Sequence, residues 1–309
     1  MEQQFSTQEQ CLEYLAALRW PEGFVCPVCE HKTGWKISGA LHECGKCHRQ
    51  TSVLAGTLFD RTKIALPKWF RAIWWVVTQK NGISAMGLQR ILGIKSYKTA
   101  WTWLHKLRGA MKTPGRSRLS GTIEVDETYV GGLEEGVPGR KSLKKAIVAI
   151  AVQLDGKKSG RIRLAIIPNA EATSLRDFIT SCIEEGSMLL TDAWRGYSTE
   201  ALKGYNHRVV NVKASGKQAD ELLPKVHLVA SLLKRWLLGT HQGAVSAEHL
   251  PAYLDEFVFR YNRRTSASRG LLFYRLLENA VRIKPTRYKN IIKAIRSGPE
   301  HPKRRRLKP

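Results

Sequence analysis

The chain has 309 residues and 43% hydrophobic content, enough for two or three domains with cores of their own. Its 51 lysines and arginines against 26 acidic residues leave a net charge of +25, an excess that favours a polyanionic partner, nucleic acid first. No run of 18 apolar residues offers a membrane span, and the polar start Met1-Glu2-Gln3-Gln4 does not resemble a secretory signal. A reducing cytoplasm is therefore expected, where paired cysteines point to metal rather than disulfides.

Residues 1–25 read as a short amphipathic helix, with Cys11, Leu12, Leu15, Leu18 and Trp20 available for packing and Cys11 a small buried hydrophobe. CPVC at 26–29 and CGKC at 44–47 follow, in the spacing C-x2-C-x14-C-x2-C. Each pair is a knuckle that aims two thiolates at one point, so Cys26, Cys29, Cys44 and Cys47 are expected to close a tetrahedral structural Zn2+ site. His31, His42 and His48 are surplus to that filled shell and are expected at the surface. The alternating stretches between and after the knuckles suit a small ribbon of strands, completing a first domain over 1–62. Such a ribbon could bind DNA, bind protein or brace its neighbour.

Residues 63–112 read as a helical, DNA-binding domain. PKWFRAIWWVVTQ (67–79) places Pro67 in a favourable first turn. ISAMGLQRILG (83–93) and SYKTAWTWLHKLRGAM (96–111) then fit a helix-turn-helix, against the plainer alternative of a helical packing unit. In that arrangement Ser96, Tyr97, Lys98 and Thr99 open the recognition helix, while Ala100, Trp101, Trp103, Leu104 and Leu107 face the core. KTPGRSRLSG (112–121) is a Pro/Gly/Ser/Arg-rich linker.

From 122 the spacing predicts strands at 122–129, 145–154 and 161–167, a helix at 170–185, a strand at 187–191, a helix near 197–203, a strand at 207–213 and a helix over 219–238. That order, in a domain over 120–265, is a mixed α/β sheet flanked by helices, the order of RNase H-like folds. It puts Asp126 on the first strand and Asp192 at the end of the fourth. Carboxylates held at the ends of apolar strands need a cation or a donor to compensate them. Phosphoryl transfer on a DNA backbone uses two oxygen-liking cations about 4 Å apart. Asp126 is the candidate to bridge Mg2+ or Mn2+ ions and Asp192 to hold one of them, with Glu124 an auxiliary or simply a solvated group. Arg260, Arg263 and Arg264 suit phosphate contact, and residues 266–309 read as a basic helical tail ending in PKRRRLK.

The zinc ribbon, the helix-turn-helix, VDETYVGG, TDAWRGY, HLVASLLKRWLLGTHQG (227–243) and HLPAYLDEFVFRYNRR (249–264) together resemble the DDE-type transposases of small bacterial insertion sequences, nearest to family 1595. The resemblance runs from about residue 10 to 275. It implies an RNase H-like core, metal-dependent cleavage at terminal inverted repeats, transfer of 3′-hydroxyl ends into target DNA, and association with the bacterial nucleoid. Handling two element ends together implies at least a dimer. Such enzymes commonly carry a third acidic ligand, Glu, with Lys or Arg two helical turns later. Here that spacing is held by His227 and Lys234, so the resemblance carries the third catalytic position to His227 and a phosphate-holding role to Lys234. Imidazole suits Mn2+ better than hard Mg2+, or could orient the attacking water or hydroxyl. Glu256 is the acidic rival. A DNA-binding regulator with an inactive domain and a structure-specific nuclease are the competing functions.

Overall fold

The protein was analysed as a computed structural model that describes residues 1–112, 117–131, 145–210, 222–243, 245–268 and 270–296. The first helix, α1 (Gln8–Arg19), opens with a capping box in which Thr7 Oγ1 accepts the Gln10 N–H and the Gln10 side chain accepts the Thr7 N–H. Cys11, Leu12 and Leu15 are its buried face. Three short strands follow as an antiparallel ribbon: β1 (Gly34–Ser38), β2 (Leu41–Cys44) and β3 (Gln50–Ser52).

Three helices come next. In α2 (Leu66–Thr78) the apolar repeat buries Trp69, Phe70, Ile73, Val76 and Val77. The shorter α3 (Ala85–Leu92) is capped by Ser84, whose Oγ accepts the Gly87 N–H, and stops at Gly93, which holds φ at 57°. After that turn, α4 (Tyr97–Met111) runs back across α2, stacking Trp103 on Trp69 at 3.7 Å between ring centroids. Two helices joined through the Gly93 turn, α3 and α4, stand where the helix-turn-helix was expected.

The second layer is a five-stranded mixed sheet of β4 (Thr122–Val130), β5 (Ala146–Asp155), β6 (Lys158–Ile167), β7 (Met188–Thr191) and β8 (Asn206–Val209), ordered β6-β5-β4-β7-β8. β4, β5 and β6 are antiparallel, whereas β7 and β8 run parallel to β4. Helix α5 (Ala172–Cys182) covers one face. The other is covered by α6 (Pro224–His241) and α7 (Leu250–Tyr261). Along β5 the burial alternates accordingly: Ala149 and Ala151 join the α5 side, while Val148, Ile150 and Val152 join the α6 and α7 side. This meets the mixed-sheet expectation.

Local differences have local causes. The helix expected near 197–203 is a run of turns, with one helix-like bond from the Leu202 N–H to the Ser198 carbonyl. The segments 113–116, 132–144, 211–221 and 297–309 lie outside the described residues. With them go part of the linker, the loop after Gly131, the far end of the 207–213 strand, the start of the 219–238 helix and the basic terminus.

Helix α8 (Gly270–Arg282) falls in the stretch grouped by sequence as a basic tail. Its apolar face is nonetheless buried deep in the N-terminal helical core, with Phe273, Leu276, Leu277 and Ala280 all at 0% exposure. Asn279 donates to the Ala110 carbonyl at 2.9 Å, and the Leu58 N–H donates to the Ala280 carbonyl at 2.9 Å. The last element, α9 (Tyr288–Arg296), follows it.

Candidate active site

The acidic site begins with strand register. β4 and β7 are parallel neighbours, with Glu124 opposite Leu190. Continuing that register by two residues sets Asp126 level with Asp192, which directly follows β7, on the same face of the sheet. The face is the one covered by α6, and α6 brings His227 in its first turn. His227 Nε2 stands 3.8 Å from Asp126 Oδ2. The other Asp126 oxygen accepts the Glu127 N–H at 2.8 Å. Asp192 Oδ1 accepts the Trp194 N–H at 3.0 Å, an Asx turn that fixes the carboxylate as the chain leaves the strand. Trp194 is itself held by a bond from Nε1 to the Ala170 carbonyl at 2.8 Å. Gly196 is demanded by this packing: a Cβ there would meet the Ala170 carbonyl at 2.5 Å and Trp194 Nε1 at 2.7 Å.

One group in this region was not singled out from sequence, and a second takes a role not expected of it. Tyr197 is 4% exposed and donates its hydroxyl to Glu127 Oε2 at 3.0 Å. Burial holds its proton far above the usual tyrosine range, reinforced by the charges of Glu127, Asp126 and Asp192. One phenol thus senses all three carboxylates. Glu124, weighed as an auxiliary or a solvated group, is 3% exposed. Its Oε2 accepts the N–H groups of Lys225 and Val226 at 2.8 and 2.7 Å. Helix α6 has Leu223 at its cap position and no side-chain cap of its own, so a carboxylate from β4 serves instead. Burial raises the Glu124 pKa, opposed by those two amide bonds. Glu124 therefore ties the first turn of α6, and His227 with it, to the strand that carries Asp126.

Among the described residues, one group of three or more ligand side chains lies within 4.8 Å of one another: Cys26, Cys29, Cys44 and Cys47. Asp192 is thus not within that reach of both Asp126 and His227. The cysteine sulfurs approach at 3.4 to 3.6 Å, close to the ~3.8 Å sulfur spacing of tetrahedral zinc with bonds of about 2.3 Å. The donor set and its spacing fit a structural Zn2+. Backbone N–H groups bond the sulfurs of Cys26 and Cys44 and lower their pKa values, favouring thiolates. His42 departs from expectation: it is not a surface residue but stacks on Phe24 at 5.8 Å and meets Trp20 at 4.9 Å, closing the apolar base of the ribbon.

Comparison with known proteins covers both regions of the chain. Residues 6–50 match the transposase zinc-ribbon domain of family IS1595, and residues 118–262 match the ISXO2-like transposase domain of the same family. The chain belongs to the IS1595 transposase family. It is also similar to a protein in the transposable element ISH50 of Halobacterium salinarum, 26% identical over 277 residues that cover 83% of this chain and 91% of the relative.

The remaining candidates of this transposase are spread over several surfaces. Lys234 is exposed on α6 and borders a cavity of about 360 Å3 with Tyr129, Gly131 and Val245, beyond the Asp126 end of β4. Ser96, Tyr97 and Lys98 are exposed at the start of α4 and Thr99 is half-buried; Lys98 Nζ sits 4.0 Å over the Tyr288 ring. Ala100, Trp103, Leu104 and Leu107 are buried as expected, whereas Trp101 is only half-buried.

The three arginines differ from one another. Arg260 is not a surface phosphate contact: its guanidinium binds Glu256 and the carbonyls of Val76 and Gln79, at 2.6 to 3.0 Å. Arg263 lies over the Phe259 ring at 4.2 Å. Arg264 is exposed and binds the edge strand through the Ser159 carbonyl. Glu256, the acidic rival for the third ligand, is 1% exposed and spent on ion pairs with Arg108 and Arg260 at 2.8 and 2.7 Å.

Proposed function

We propose that this transposase binds DNA and cuts and joins it at the ends of its element by metal-dependent phosphoryl transfer, with Asp126, Asp192 and His227 as the ligand set. The reading is supported by the pairing of Asp126 with His227 at 3.8 Å and by the β4–β7 register, which when continued sets Asp192 level with Asp126. Two carboxylate oxygens and an imidazole nitrogen, none fully buried, are a donor set suited to Mg2+ and better to Mn2+. A cation held there would supply Lewis-acid stabilisation of the attacking and leaving oxygens. Asp126 on β4 and Asp192 in the turn directly after β7 would hold that charge, with Glu124 tying the helix of His227 to β4. Lys234, two turns from His227 and exposed, holds a DNA phosphate near the scissile bond.

The net charge of +25 and the exposed start of α4 support contact with terminal repeat and target DNA. Ser96, Tyr97, Lys98 and Thr99 meet the bases, while Arg263 and Arg264 contact the backbone. Joining two ends calls for more than one copy of the chain at the DNA.

The test is cleavage and joining of the element's terminal DNA with Mg2+ and with Mn2+. Wild type is compared with Asp192→Ala and His227→Ala. Loss in both variants, with DNA affinity kept, upholds the assignment. Full activity in His227→Ala refutes the third position. Specific binding without cleavage by wild type under either metal favours a DNA-binding regulator, and cleavage without joining favours a nuclease.

A further inference from the structure

The helix-turn-helix and the catalytic unit meet around a cavity of about 320 Å3, within the usual range of small-ligand sites. One wall is a single face of α4, where Tyr97, Trp101, Leu104 and Arg108 recur at helical spacing. The facing wall is the last turn of α6, with His241, and Tyr253 of α7. Two polar atoms here are buried and have no hydrogen-bond partner: Arg108 Nη1, on a residue 1% exposed, and His241 Nε2. An unmet buried donor is costly, so a ligand that meets it is strongly favoured.

The chemistry of the walls narrows the ligand. Arg108 shares the single carboxylate of Glu256 with Arg260, at 2.8 and 2.7 Å, so the wall keeps one positive charge with a fixed direction. Burial, followed by the charge of Arg108, lowers the His241 pKa to about 4, which makes that imidazole neutral at physiological pH. A flat heteroaromatic ring would find aromatic faces: Tyr97 is 52% exposed, and Trp101 is steadied from behind by His105, with ring centroids 4.1 Å apart. The mouth lies at the exposed first turn of α4.

We propose that this cavity holds a single nucleobase, stacked on Tyr97 and Trp101 and hydrogen-bonded by Arg108 Nη1 and His241 Nε2. The natural source is a base turned out of a DNA strand that lies along the start of α4, which rests on the DNA-binding reading above. A free nucleotide would satisfy the same groups.

Two measurements on the full-length, zinc-loaded protein separate the sources. In the first, terminal DNA carrying 5-iododeoxyuridine at single positions is bound and irradiated, and adducts are mapped by mass spectrometry. Adducts on Trp101 or Tyr253, which lie outside the recognition-helix contacts proposed above, are expected. In the second, deoxyguanosine monophosphate is titrated by calorimetry into wild type, Tyr97→Ala and Tyr97→Phe. Stacking requires about tenfold weaker binding in Tyr97→Ala and recovery in Tyr97→Phe, at a position whose exposure spares the fold. Nucleotide binding with that pattern but no adducts identifies a free-nucleotide site. DNA bound with adducts only elsewhere, together with no nucleotide binding, overturns the proposal. If no DNA binds at all, the DNA-binding reading falls, and the titration alone decides the cavity.

Discussion

Removing the charge of Glu256 should destabilise the junction of α2 and α4 with α7 on the mixed sheet more than any surface change. Its carboxylate is 1% exposed and takes Arg260 on one oxygen and Arg108 on the other, at 2.7 and 2.8 Å. Burial alone would raise its pKa; the charges of Arg260 and then Arg108 outweigh burial and hold it at about 2, against an ordinary 4.5. A depression of that size corresponds to about 3 kcal/mol at neutral pH. It is fully present above about pH 4.5 and is lost as pH falls through about 2. Glu256→Gln also leaves the Arg108 guanidinium, 2% exposed, without its counter-ion, so a total loss of roughly 3–5 kcal/mol is expected. In urea, with slopes of about 1–3 kcal/mol/M, the midpoint should drop by about 1 M or more. Tryptophan fluorescence and far-UV circular dichroism would follow the transition. Glu278→Gln is the control, because its pair with Arg275 is solvent-exposed and should leave the midpoint unchanged. If Glu256→Gln moves the midpoint no further than that control, the junction is not held by this ion-pair network.

Three further outcomes follow from other parts of the molecule. His105 and His241 are held neutral by burial and by the charge of Arg108, with pKa values lowered from 6.5 to about 3 and about 4. Stability should therefore be complete above about pH 6.5 and fall on acidification towards pH 4, by up to about 1.4 kcal/mol per pH unit for each histidine; a flat melting temperature between pH 7 and pH 5 would refute this. Glu124→Ala removes the acceptor for two α6 amides and should lower cleavage about 10–100-fold with DNA affinity kept, whereas Glu124→Gln, which can still accept, retains most activity. Equal activity in all three proteins would remove Glu124 from any positioning role. Cys29→Ser should lose the bound zinc, read by elemental analysis, and open residues 20–50 to protease while the sheet stays resistant; retained zinc would show that the four sulfurs are not the ligand set.

Much of this architecture could be read from local pattern. The cysteine knuckles have a fixed spacing and the strands alternate, so the ribbon and the mixed sheet flanked by helices were legible. What was hidden depends on partners distant in sequence. Nothing near Glu124 announces that it caps a helix beginning at Pro224. Arg260 has the composition of a phosphate contact, and only the meeting of α7 with α2 and α4 turns it inward. His42 looked like a surplus surface residue because Trp20 and Phe24 come to it from another segment. Tyr197 stands in a segment expected to be helical, and its contact with Glu127 crosses from the turns after β7 to β4.

The burial of α8 among α1, α2 and α4 has a consequence for synthesis on the ribosome. A nascent chain that has emerged through Met111 owns every residue of the helix-turn-helix but lacks Phe273, Leu276 and Leu277, which fill its centre. The apolar face waiting for them must stay open, or be shielded, until the whole mixed sheet has been made. The N-terminal helical core is thus completed after the sheet that follows it in sequence. Premature termination anywhere before residue 270 should release a product with an unsealed, aggregation-prone N-terminal core rather than a competent DNA-binding fragment.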